Sequence, residues 1–506
     1  MMPRFAPLLL ASALFAQTGV LVNRYDPAVT GSATHETVLK PANVNAAHFG
    51  KLYSYYVDGA VYAQPLYLRD PDLLFVATMN DKVYAFPASH KGTPVWMRDF
   101  TDEMKGVTPV LVMDITNNPE LNIVGNVGIE GTPVIDAAAG ALFFVARTKE
   151  NGAYVQRLHK LNVRTGADLA PAVEIETAPG AVRFDARAGN QRSALVLVNG
   201  QVVVAWASHE DIRPYHGWIM AFDEATLKRT GALCLTPDGT DGGVWQSGRP
   251  PAVDSDGNVY FEVGNGSWNG DRDFGNSLLK LRVTARGIAV ADYFTPHDWE
   301  ELNRRDADLG STGPLLIPGT DLLVAGAKNG TLYLFDRKNL GRRTDADTAV
   351  LQTIEVDGGR PLAGPAYWDR PAGGMLYLWC DADVLKAFRF DGKRLSPEPV
   401  MKGTVPSKGS PGGALTVSSD GATAGSAIVW AALTNGKSAD HGNAAGILRA
   451  YNAETLEELW NSEQQRRRDR LGTLVKFVPP LVVNGRVYLP NYDSAVNVYG
   501  TFTPER

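Results

Sequence analysis

The chain has 506 residues and a formal net charge of −6, with 44% hydrophobic and 21% charged residues. That balance supplies a large core and excludes a disordered chain, and the acidic excess gives a nucleic-acid partner no electrostatic support. The 51 glycines and 31 prolines fit a turn-dense all-β protein, and the 2 cysteines exclude a disulfide scaffold.

In chain order, MMPRFAPLLLASALFAQ reads as a secretory signal peptide over residues 1–16. Arg4 precedes an apolar stretch from Phe5 to Phe15, and small residues stand at Ala11, Ala13 and Ala16. The stretch is too short to span a bilayer, and no later run reaches the ~20 residues required. The expectation is an exported protein, secreted or periplasmic, with no membrane span. Residues 17–506 then make one domain.

FGKLYSYYVDG (Phe49–Gly59) is a strand-like run that precedes the first copy of a repeat. The repeat is an apolar strand, a second strand, a polar turn, a return strand and an outer strand. It begins at Pro65 and recurs, for example as GTPVIDAAAGALFFVARTKENGAYVQRLHKLNV and GPLLIPGTDLLVAGAKNGTLYLFDRKN, ending with FVPPLVVNGRVYLPNYDSAVNVYG. Eight units of four short strands, A to D from the inside outward, predict an eight-bladed β-propeller. Seven blades is the alternative if one unit is misparsed. The eighth unit ends after strand C, so residues 49–59 are expected to supply its strand D and close the ring. Cys234 falls near strand D of the third unit and Cys380 on strand B of the sixth, too far apart to be bridged. RRRDR (Arg466–Arg470) reads as a solvated loop or a local anion or partner contact.

Strand order sorts the polar residues by face, because B–C turns and D–A connections share one side of the ring. Glu210 and Asp211 follow strand B of the third unit, Asn265 that of the fourth, and Lys328 that of the fifth. Lys328 directly precedes Asn329-Gly330, a hairpin signal in which both residues tolerate positive φ. Trp245 lies in the connection before the fourth unit, and Asp298, Asp306 and Asp308 lie in the one before the fifth. Each has an ordinary reading: turn asparagine, solvated turn lysine, wall-plugging tryptophan, turn-capping aspartate.

At these residues the chain resembles the quinoprotein alcohol dehydrogenases, eight-bladed propellers that bind pyrroloquinoline quinone (PQQ) with Ca²⁺. NRYDPAVTGSATHETVLKPANVNAAHFGKLYSY is similar to that family's N-terminal pattern, and AKNGTLYLFDR is the nearest motif. The resemblance implies that Lys328 contacts the quinone and that Trp245 lies under its ring. It also implies that Asn265, with Asp211 or Glu210, ligates the metal. Asp306 is the implied catalytic base, with Asp308 and Asp298 as alternatives. The adjacent cysteine pair of that family and a haem-binding Cys-x-x-Cys-His are absent, so a separate electron acceptor is implied. The blade-docking signature survives in fragments: AYNAETLEELW has leucine at the glycine position, and LNVRTG has no matching tryptophan. Two readings follow: a PQQ- and calcium-dependent dehydrogenase of an alcohol or sugar-like substrate, or a non-catalytic PQQ-repeat-like propeller that binds or scaffolds. A hydrolase or lyase is a third, but no nucleophile-and-base pair stands out among the 8 histidines.

Overall fold

The computed structural model describes residues 19–502, apart from 119–120, 178–181, 357 and 371. The signal-like run lies outside the described residues. The repeat folds into eight β-sheet blades in a ring, an eight-bladed β-propeller. The innermost strands of blades 1 to 8 are Leu66–Leu68, Val134–Asp136, Val196–Val198, Ala252–Val253, Leu315–Leu316, Ala366–Trp368, Ala414–Ser418 and Leu481–Val483.

Strands B and C are sandwiched between neighbouring blades, which is why they read as apolar runs. In blade 5, Leu322–Gly326 and Thr331–Asp336 are buried along almost their whole length, whereas the outer strand Val350–Glu355 alternates. The cores accordingly form between blades: one cluster joins Val203 and Ile219 of blade 3 to Phe261 and Leu279 of blade 4. Another joins Trp368 and Tyr377 of blade 6 to Val417 and Val429 of blade 7. Among the described residues the blade cores are shared between neighbours, so each blade depends on the next.

The last blade is closed by Phe49–Tyr56, which pairs antiparallel with Ala495–Thr501 as its outer strand. Phe49 anchors it, fully buried between Trp430 (5.4 Å) and Trp460 (4.9 Å). The four arginines of RRRDR are exposed, as a solvated run would be, but the segment is not a loop and its aspartate is buried. Arg466–Asp469 is a short helix whose Asp469 is fully buried and accepts the Lys51 backbone N–H at 2.9 Å. Arg468 donates to that carboxylate and to the Phe49 carbonyl. The charge run fastens the closing strand. Cys234 ends the outer strand of blade 3, Cys380 lies two residues beyond strand Met375–Leu378 rather than on it, and both are free. The tryptophan that LNVRTG lacks comes from the preceding blade. Gly166, at φ 69°, lies so close to Trp96 that a Cβ would meet the indole at 2.7 Å, and Trp96 Nε1 donates to the Val163 carbonyl.

The N-terminal segment crosses the middle of the ring, which the sequence pattern gave no reason to expect. Gly19–Val20 pairs with the inner strand of blade 1. The carbonyls of Leu21, Pro27, Ala28, Thr30 and Gly31 then accept N–H bonds from Ile135, Val253, Leu316, Tyr367 and Val417 of blades 2, 4, 5, 6 and 7. The Tyr25 hydroxyl accepts from Val482 N of blade 8 at 2.6 Å. Arg24, 1% exposed, donates to the Pro365 and Leu415 carbonyls at 2.7 Å each. The segment thus satisfies inner-strand edges that a hollow ring would leave open.

Candidate functional site

On the face carrying the B–C turns and D–A connections, a cavity of about 320 Å³ opens at the ring axis. Its wall includes Lys328, Trp245, Asn265, Asp306, Asp308, Asp211 and Glu210. Asp298 is not on it; that residue opens the helix Trp299–Arg305.

Local structure explains how blade 5 presents its lysine. Ala327–Gly330 is a four-residue hairpin loop in which only Gly330 (φ 94°), not Asn329, has positive φ. Gly330 N donates to the Ala327 carbonyl at 3.1 Å, and Lys328 N to the Asp308 carbonyl at 2.9 Å. Lys328 is therefore inside the turn rather than before it, and its side chain, 14% exposed, turns into the cavity. Its Nζ lies 2.7 Å from Asp306 Oδ1 and 2.8 Å from Asp308 Oδ1.

The carboxylates are placed by the helix Trp299–Arg305. Asn303 clamps this helix to blade 4, donating to the Gly266 carbonyl at 2.7 Å and accepting Gly266 N–H at 3.1 Å. Asp306 ends the helix in a left-handed conformation (φ 51°), which swings its side chain to Asn265, whose Nδ2 donates to Oδ1 at 2.6 Å. Asp308 is 1% exposed and accepts Gly310 N–H at 3.1 Å. Asn265 Oδ1 is buried without a hydrogen-bond partner.

The electrostatics follow from this packing. Burial would drive Lys328 toward neutrality, but Asp308 and Asp306 hold its pKa above the usual lysine range. Partial desolvation pushes Asp306, whose side chain is 67% exposed, up, and the Lys328 charge with the Lys328 and Asn265 hydrogen bonds outweighs it, so the pKa lies below the usual range. Asp211 is raised, chiefly by burial, with Lys328 and the Tyr215 hydroxyl (3.2 Å) opposing. Beneath the site Glu262 is fully buried, and burial pushes it up to about 8 despite the N–H bonds from Gly326 and Gly313.

Trp245 stands edge-to-face with Phe477 at 5.4 Å and 80°, giving the cavity an aromatic wall. Glu210 spends both oxygens on Asn122, accepting its backbone N–H and Nδ2–H at 2.8 Å each. Among the described residues no group of three or more His, Cys, Asp or Glu side chains is gathered to hold a metal.

Known structures share this architecture. A quinohemoprotein alcohol dehydrogenase from Pseudomonas putida HK5 aligns over 97% of this chain and 81% of its own, with TM-score 0.59 and 15% identity. A europium-containing methanol dehydrogenase aligns over 96% and 98%, with TM-score 0.59 and 13% identity. BamB from Moraxella catarrhalis aligns over 89% and 99%, with TM-score 0.52 and 13% identity. What they share is the propeller. No protein-family model and no curated protein sequence matches the chain. At such identities the likeness carries the fold alone, and function has to be argued from the site.

The cavity also holds residues that sequence reasoning passed over. Glu130, Arg192, His209 and Lys476 border it, each 5% exposed or less. Glu130, Arg192, Lys476 and Phe477 lie in the connections that lead into inner strands, where Trp245 and Asp308 also lie. That shared position was the available signal. Among the described residues no helix is long and apolar enough to cross a membrane.

Proposed function

We propose that this propeller is a quinoprotein-like dehydrogenase that binds PQQ with a hard cation and oxidises an alcohol or sugar-like substrate. The observation that carries the reading is the convergence of Lys328, Asn265, Asp306, Asp308 and Trp245 on one axial cavity. When bound, the quinone supplies two-electron oxidation chemistry. Trp245 offers an aromatic face to a planar ring, and Lys328 offers positive charge to anionic or carbonyl oxygens. Asn265 Oδ1, an unpartnered buried amide oxygen beside Asp306, is the kind of donor that a hard cation takes. Asp308 and Asp211 would supply further oxygens for Ca²⁺ or for a trivalent ion, whereas both Glu210 oxygens are taken by Asn122. Asp306, ionised because its pKa is lowered, is fixed by Lys328 and Asn265 to accept the proton of a substrate hydroxyl. Electrons would leave to a separate acceptor, and export to the periplasm or medium fits an external substrate.

The second reading is a binding or scaffolding propeller without catalysis. It is favoured by Glu210 being committed to Asn122 and by the ungathered metal ligands. Reconstitution separates the two. The purified chain is loaded with PQQ and either Ca²⁺ or Eu³⁺, and dye reduction is followed across a panel of alcohols and sugars. Turnover with at least one cation, lost in Asp306→Asn, supports the dehydrogenase. A folded chain that binds no PQQ supports the scaffold.

A further inference from the structure

The half of the cavity away from Lys328 is built from buried polar groups that no protein atom completes. Glu130, 2% exposed, has no hydrogen-bond partner on either carboxylate oxygen. His209, 1% exposed, has none on Nε2, which lies 3.5 Å from Glu130 Oε2 without the alignment of a hydrogen bond. Asn190 Oδ1 is unpartnered as well, and all three residues border the cavity. Unmade hydrogen bonds at buried groups are costly, so three such residues on one wall point to a polar occupant.

Charge narrows the occupant's chemistry. Arg192 borders the cavity and its Nε lies 3.5 Å from Glu130 Oε1, so a cationic ligand meets a guanidinium group. Lys476, 5% exposed, lies beside Arg192, which donates to its backbone carbonyl at 3.2 Å. An anionic ligand meets Glu130 and Glu210. A hydroxyl avoids both costs, because it donates to a carboxylate oxygen and accepts from an N–H. Two free oxygens on Glu130 call for two O–H donors. Tyr62, under the Arg192 guanidinium at 5.5 Å, and Phe477 supply ring faces for the C–H side of such a molecule.

We propose that Glu130, His209 and Asn190 form a subsite for a neutral polyhydroxylated ligand, a polyol or sugar that presents adjacent hydroxyls. As a substrate site this rests on the dehydrogenase reading; as a binding site it stands without it. The test is calorimetric titration of the full cofactor-free chain with myo-inositol and with cyclohexanol, a ring of the same size with one hydroxyl. Inositol is expected to bind at least tenfold more tightly than cyclohexanol. The isosteric Glu130→Gln should weaken inositol at least tenfold. Asn190→Ala, at a half-buried position, is the second variant and should weaken inositol severalfold with an unchanged melting curve. Undetectable inositol binding, equal binding of the two alcohols, or insensitivity to both substitutions would overturn the inference and leave water as the partner of these groups. Inositol binding without PQQ binding would remove the dehydrogenase reading and keep this subsite.

Discussion

Lys328 holds two carboxylates at once, and that makes its removal costly in two separable ways. Lys328→Ala leaves Asp308, 1% exposed, as a buried charge without its cation. Breaking a buried pair from one side typically costs about 3–5 kcal/mol. The variant should melt well below the parent, and adding Asp308→Asn should restore most of the loss without restoring PQQ affinity. Thermal melts and PQQ titrations of both variants check this. His159 gives a pH signature away from the site. It stacks on Phe144 at 5.1 Å and 5°, and burial pushes its pKa down to about 4 against the pull of Asp168. A folded pKa below the unfolded one means that the unfolded chain takes up the proton first as pH falls. The associated stability, on the order of 3 kcal/mol, is present above the unfolded value near 6.5 and is lost as pH falls toward 4. Melting curves at about pH 7.5 and 4.5 should therefore converge in His159→Phe relative to the parent. Lys328, Asn265 and Trp245 were legible because strand order alone assigns a B–C turn or a D–A connection to a face. Glu130 and His209 occupy the same kinds of position, a D–A connection and a B–C turn, but each is unremarkable in its own segment, and the packing of blade 2 against blade 3 is what brings them within 3.5 Å.

At the scale of elements, the repeats were readable because strands B and C bury both faces, so their apolar runs stand out from the alternating outer strands. The N-terminal segment has no such pattern. Its partners are inner-strand backbone groups, and backbone groups leave no trace in side-chain sequence. Arg24 is its most committed side chain. Arg24→Met should strip the Pro365 and Leu415 carbonyls of their donor, lower the melting temperature and expose the ring centre to limited proteolysis. A melting curve and protease digestion pattern matching the parent would show that the segment contributes little to the ring. RRRDR was misleading for a related reason: a charge run is read as solvated until its buried partner, here the Lys51 backbone N–H on Asp469, comes from the far end of the chain.

For the whole molecule, closure by Phe49–Tyr56 makes the two ends of the repeat array interdependent. Removing the Phe49 ring from between Trp430 and Trp460 should cost about 3–5 kcal/mol. Phe49→Ala should therefore lower the melting temperature and, by freeing an edge strand, promote self-association visible in sedimentation. The eight-bladed ring was legible from the repeat; the occupant of its axis was not, since the same propeller serves proteins with different roles. The proposed function requires the axial cavity to take a planar, anionic quinone against Trp245 and Lys328. Its most direct measurement is equilibrium quenching of tryptophan fluorescence by PQQ with Ca²⁺ or Eu³⁺, in the parent, Trp245→Phe and Lys328→Ala. Micromolar or tighter binding is expected, with a reduced quench in Trp245→Phe and affinity at least tenfold weaker in Lys328→Ala. No binding at micromolar PQQ with either cation, or equal affinity in Lys328→Ala, would contradict the proposed function.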